Sequence, residues 1–225
     1  MRTILALAAL ATFGSATAAN AVTIVNGSFE NVGVVVRNTP TTSSYREVVG
    51  TNTAALPGWT ITRVINVSGA GVDIVKNAWL ASDGIYSLDM AARRAGAISQ
   101  SLTGLRLGGK YTITFDMSGN PFGEPALKGL RLSLGALPAQ DYFFTTGTNT
   151  AANMLWAPKS FSFTATSTTA LLKFTSLVDT NSGAALDNVA ITGGALPEPS
   201  TWALLLTGFG MVGYAARRRK GAVAA

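Results

Sequence analysis

Between Asn20 and Ala195 apolar and polar residues alternate with a period of two, and that rhythm limits the chain to strands. In YTITFDM, Tyr111, Ile113, Phe115 and Met117 fall on one face, with Thr112, Thr114 and Asp116 on the other. LRLSL repeats the rule with Leu130, Leu132 and Leu134, FSF with Phe161 and Phe163, and LKF with Leu172 and Phe174. Side chains of an extended chain point to opposite faces in turn, so each segment presents one apolar face for burial and one polar face. LPGW, ASDG, LGGK, SGNPFGEP and TNSG supply turn residues between the segments. The spacing predicts about eight to ten strands, an all-β fold in two antiparallel sheets, most simply a jelly-roll sandwich. NAWLA and MAARRAGA allow a short turn of helix at most.

The chain has no cysteine and no histidine. The fold must therefore stand on its core, and Ser-His-Asp triads, cysteine nucleophiles and the usual zinc sites are excluded. The net charge is +6, but Arg2, Arg217, Arg218, Arg219 and Lys220 all lie in the terminal segments. A nucleic-acid binder concentrates cations on its folded face, so no nucleic-acid partner is expected.

The two ends read as targeting segments. Arg2, the apolar run Ile4 to Phe13 and the small residues of SATAAN follow the order of a secretory signal peptide, with cleavage most simply after Ala18. Residues 19–194 then form the sandwich domain and residues 195–201 a linker. Residues 202–216 are an uncharged, mostly apolar helix, and residues 217–225 a basic end expected to face the cytoplasm. A helix over 202–216 spans only about 22 Å, short against a hydrocarbon core of about 30 Å. The following RRRK is the charge pattern of a cytoplasmic stop signal. The expected architecture is thus a sandwich flanked by an N-terminal signal helix and a short C-terminal transmembrane helix.

PEPSTWALLLTGFGMVGYAARRRK resembles a PEP-CTERM sorting signal: Pro197, Glu198 and Pro199, a short helix, then Arg217, Arg218 and Arg219. The resemblance implies an exosortase partner that cuts near the motif, and a Gram-negative source that makes exopolysaccharide. It further implies transient anchoring in the inner membrane, then residence at the cell surface or in a biofilm matrix. NGSFE, LPGWT, ISQSLTGLRLGGKYTITFDMSGNP and ALDNVAIT, spread over residues 26 to 192, resemble the DUF642 / choice-of-anchor C group. That resemblance implies a galactose-binding-like jelly roll, and many relatives are cell-wall or carbohydrate-binding modules. In related jelly rolls the acids of the first and last motifs help to hold a calcium ion. Glu30 and Asp187 are the corresponding residues here, with Asp83 as a third contributor. The alternative is that these carboxylates only bond backbone amides at strand ends.

Sugar rings lay their apolar C–H faces on exposed aromatic rings. Trp79, Tyr142 and Trp156 lie near turns and are candidates, each weighed against core packing. Phe122, in the SGNPFGEP loop, and Arg93 complete the set of ligand candidates, whereas Trp59 is expected in the core with Ile61. A glycosidase would need two carboxylates about 5 to 9.5 Å apart, and no pair at such spacing is visible in the sequence. No catalytic residue and no enzyme activity are expected. The expected function is a polysaccharide- or matrix-binding exported protein. The alternative is a structural or adhesive matrix protein with protein partners and no sugar site. Mass spectrometry of the native protein should find Ala19 at the N-terminus and a C-terminus near Pro197 to Ser200. Recovery from cytosol with Met1 and Ala225 both intact would overturn the targeting reading.

Overall fold

The computed structural model describes residues 22–33 and 44–194 and, in a C-terminal helix, residues 204, 206–214 and 217. The signal segment, Pro197, Glu198, Pro199, Arg218 and Arg219 lie outside the described residues. Eleven strands are described: β1 (Tyr45–Val49), β2 (Thr60–Arg63), β3 (Gly71–Val75), β4 (Ser87–Asp89), β5 (Gly96–Thr103), β6 (Lys110–Gly119), β7 (Leu127–Leu134), β8 (Gln140–Thr145), β9 (Ala157–Thr164), β10 (Thr169–Ser176) and β11 (Ala184–Gly193). They form a six-stranded sheet in the order β1-β3-β4-β11-β6-β9 and a five-stranded sheet in the order β2-β5-β10-β7-β8, all pairs antiparallel. The chain changes sheet at most connections, as a jelly roll does. NAWLA and MAARRAGA form bends and bridges instead of helix.

The alternation read from sequence decides which face goes inward. Tyr111, Ile113, Phe115 and Met117 of β6 are buried, as are Leu130, Leu132 and Leu134 of β7 and Leu172 and Phe174 of β10. Phe115 sets its edge against Tyr142 at 5.0 Å and Phe174 at 5.1 Å between ring centres. Trp59 sits between Phe29 and Phe174, at 5.8 and 6.3 Å, and its Nε1 donates to the Asn26 carbonyl at 2.9 Å. These rings join the two sheets and tie in the segment that precedes β1. That early segment also touches the last strand, where Val189 N donates to the Gly27 carbonyl at 2.9 Å. The β11–β6 register shifts between Asp187 and Ala190, with Asn188 at a positive φ of 50°. The bulge re-aims the side chains around Asp187.

A second, smaller apolar cluster of Val75, Trp79, Met154 and Ala185 lies apart from the main core. Val75 and Ala185 belong to the face of the six-stranded sheet that points away from the sandwich. The segments 76–81 and 149–156 fold over that face, and Trp156 packs at the margin. None of the described helices is long and apolar enough to cross a membrane. The helical residues that are described, 204, 206–214 and 217, fall within or just beyond the span expected for the tail.

Candidate functional site

Beside the small cluster, the outer face of the six-stranded sheet carries a cavity of about 610 Å³. Its floor follows from strand register. Glu47 on β1 is paired with Asp73 on β3, and Asp73 with Asp89 on β4. The alternation that buries Val48, Val72, Ile74 and Leu88 turns these three acids to the opposite side. They form one row across three neighbouring strands, with cross-strand Cβ atoms about 4.5–5.5 Å apart. Like charges placed directly opposite oppose folding, so the row needs other groups to hold it.

Those groups are unevenly shared. Asp89 is 1% exposed: its Oδ2 accepts from Asn120 Nδ2 at 2.6 Å, and its Oδ1 from Ala91 N at 3.0 Å and Gly183 N at 2.9 Å. A Cβ on Gly183 would press on that same Oδ1 at 2.6 Å, so glycine is required for the approach. Glu47 Oε2 accepts from Arg93 Nε at 3.0 Å. Asp73 Oδ1 is buried and has no hydrogen-bond partner. Burial, then the negative charges of Asp89 and Glu47, push Asp73 up to about 8, and Arg93 only partly opposes them. Burial pushes Asp89 up to about 7, against its bonds from Asn120, Ala91 and Gly183 and the charge of Lys128.

The walls come from the loops. Phe122 is 67% exposed and stacks at 6.4 Å on Trp79, which is 5% exposed and donates from Nε1 to Ser87 Oγ at 2.9 Å. The loop that carries Phe122 is fastened from below. Lys128 has no exposed surface, although it is charged, because the inward alternation of β7 begins at that residue. Its Nζ donates to the Gly123 carbonyl at 2.6 Å, the Ser182 carbonyl at 2.8 Å and Ser182 Oγ at 2.9 Å. A buried ammonium is tolerated only with such partners, and desolvation lowers its affinity for the proton. Asn120 Oδ1 also accepts from Phe122 N at 2.9 Å, which shapes the turn.

Of the five ligand candidates, the structure brings Trp79, Phe122 and Arg93 to this cavity. Tyr142 does not reach it. It is 8% exposed, packs on Phe115 and donates to the Ser160 carbonyl at 2.8 Å, so its place is in the core. Trp156 is half-buried in the small cluster, with Nε1 donating to the Leu80 carbonyl at 3.0 Å. The acid row was not visible as a pair in the sequence, because only the register of three separate strands assembles it.

The metal candidates meet elsewhere, at the loop 82–86. Asp187 Oδ2 accepts from Ser82 N at 2.8 Å and Asp83 N at 3.0 Å, and its Oδ1 from Asn188 N at 2.7 Å. Glu30 Oε1 accepts from Ile85 N and Tyr86 N, both at 2.8 Å. Burial, partly offset by these backbone amides, raises Asp187 to about 7. Gly84 holds φ at +66°, and a Cβ there would collide with the Glu30 carboxyl. The two carboxylates therefore clamp one loop through its amides. Among the described residues no group of three or more His, Cys, Asp or Glu is arranged to hold a metal ion.

The family model described as "Protein of unknown function (DUF642)" matches residues 22–192, and a PEP-CTERM protein-sorting motif matches residues 195–220. Over 190 residues the chain is 30% identical to halomucin of Haloquadratum walsbyi, covering 84% of this chain and 2% of that protein's length. Similar solved structures include TmCBM61 in complex with β-1,4-galactotriose, at 15% identity and a TM-score of 0.43, covering 60% of this chain and 88% of that one. The CBM22-1 xylan-binding domain of Paenibacillus barcinonensis Xyn10C gives 17% identity and a TM-score of 0.41, covering 62% and 87%.

The raised carboxyls have a consequence for stability. An acid whose folded-state value lies above its ordinary 3.8 takes up a proton on folding, so stability falls as pH rises through the window from 3.8 to about 8. D73N removes one such proton. Urea unfolding at pH 5, 7 and 9 should show wild type losing stability with pH more steeply than D73N, by at most about 1.4 kcal/mol per unit. Parallel profiles would remove Asp73 as the source.

Proposed function

This chain belongs to the DUF642 family, and we propose that its jelly roll is a saccharide-binding module carried to the cell surface by the tail. The PEP-CTERM motif implies export and processing by an exosortase. From there the reading is that the processed protein works at the surface or in the extracellular matrix of a Gram-negative cell. The observation that supports binding is the cavity on the outer sheet face, where the exposed ring of Phe122, braced by Trp79, stands over a floor of hydrogen-bonding side chains. A pyranose offers an apolar C–H face and a rim of hydroxyls, and such a cavity meets both. Asp89 is engaged by three donors and Glu47 by Arg93, and the row is read as a binding floor.

A second reading, an adhesive matrix protein with protein partners, draws on the burial of Trp79 and Tyr142 and on apolar side chains exposed elsewhere. Leu127, Phe143 and Leu177 are such residues, with Phe143 and Leu177 both lying against Gly129 of β7. A structural calcium ion is proposed at the 82–86 loop, whose backbone amides Glu30 and Asp187 hold and which carries Asp83. It would draw the rest of its six to eight oxygens from backbone carbonyls and water.

Titration of the full-length chain with exopolysaccharide, pectin and cellulose fractions should give saturable binding to at least one of them. F122A should weaken that binding about fivefold to tenfold, the weight of one ring contact, with unchanged thermal melting because Phe122 is exposed. Silence across all fractions would leave the adhesive reading standing instead. Melting with and without a chelator tests the ion: calcium should raise the midpoint, and identical curves would exclude it.

A further inference from the structure

Resting on that saccharide-binding reading, we propose that the cavity selects glycans bearing free amino groups, seating a hexosamine with its ammonium against Asp73. Three carboxylates cross the floor in one register row, and Arg93 is the one cation among the described residues that line the cavity. That guanidinium is paired to Glu47, and its side chain is 63% exposed, so it sits toward solvent. Asp89 has both oxygens engaged by Asn120, Ala91 and Gly183. Asp73 lies between the other two acids, with Oδ1 enclosed and no donor supplied by the protein.

A buried carboxylate oxygen without a donor is a standing electrostatic deficit. Asp73 is only partly buried and lines the cavity, so an ammonium from the ligand meets the carboxyl on its open side and answers that deficit with a charge-assisted hydrogen bond, the stronger kind. A hydroxyl or acetamide can offer only a neutral donor. A uronic acid would bring a further anion to acids that already hold one another's carboxyls up and is disfavoured, which gives the site discrimination as well as affinity. The ring of the same sugar lies against Phe122, which Trp79 braces from below. Arg2, Arg217, Arg218, Arg219 and Lys220 of the terminal segments supply most of the net charge of +6, so a cation preference has to come from this local row.

The groups facing Asp73 are Glu47 from β1, Asp89 from β4 and Arg93 from the segment after β4, and with burial they hold its carboxyl up to about 8. Seating an ammonium there displaces the proton. Binding near neutral pH should therefore release protons, and affinity should rise between pH 5 and pH 7.

The test is calorimetric titration of the full-length chain in detergent with matched oligosaccharides. Glucosamine and galactosamine oligomers are compared with their N-acetylated forms, with glucose and galactose oligomers, and with galacturonate. The free-amino forms should bind about tenfold more tightly than their acetylated twins, the margin of a charged over a neutral hydrogen bond, and galacturonate weakest. D73N should collapse the amino-over-acetyl ratio to about one, with a single cooperative melting transition showing that the fold survives. Equal or tighter binding of acetylated, neutral or acidic oligomers overturns cation selection and leaves saccharide binding intact. No binding by any oligomer or by the polysaccharide fractions overturns both.

Discussion

The contact between aromatic rings across the two sheets is what the rest of the structure depends on. Phe115 of β6 meets Phe174 of β10, and Trp59 links Phe174 to Phe29 ahead of the first strand. Burying such rings is the dominant favourable term in a chain without disulfides. It also fixes which face of every strand points inward, since slipping a strand by one residue would turn all its side chains over. Once Val72, Ile74 and Leu88 are committed to the core, Asp73 and Asp89 have no choice of side. The acid row is the reverse of the core pattern, printed on the other face of the same strands.

That outer face resolves an apparent conflict. Three carboxylates in a row oppose folding, yet the same surface holds a small apolar cluster, and a buried lysine of β7 fastens the loop beside it. Donors are concentrated on Asp89, and Arg93 serves Glu47, so the deficit is left on Asp73. Fully satisfied networks rigidify a fold, and in this one Asp73 is the acid left without a donor on Oδ1.

Much of the fold was legible because strand alternation is a local property. β6, β7, β9 and β10 could be read directly, and the inward residues of YTITFDM and LRLSL are those found in the core. The site was legible only in part. Phe122 stood out because SGNPFGEP is a run of turn formers around one aromatic. Tyr142 was misplaced because QDYFF sits near a turn, although alternation with Phe144 already put it on the inner face of β8. Lys128 escaped because a charged residue reads as the end of an apolar pattern, when the rhythm of β7 in fact begins with it. Glu47, Asp73 and Asp89 lie in YREVV, GVDIV and SLD, and nothing local says that these segments share a register. Glu30 and Asp187 were named together through their motifs, and the loop whose amides both of them bind lies far from each in sequence.

The enclosed lysine under the Phe122 loop has one more implication. An ε-amine with no exposed surface is out of reach of amine-reactive reagents for as long as the 120–125 and 180–183 segments stay together. Acylation of Lys128 would occur only in molecules where those segments have parted, and a neutralised amine could not easily return to three oxygen acceptors. The labelling rate at that one position is therefore a clock for how often the doorway beside the cavity swings open, and each tick would jam it.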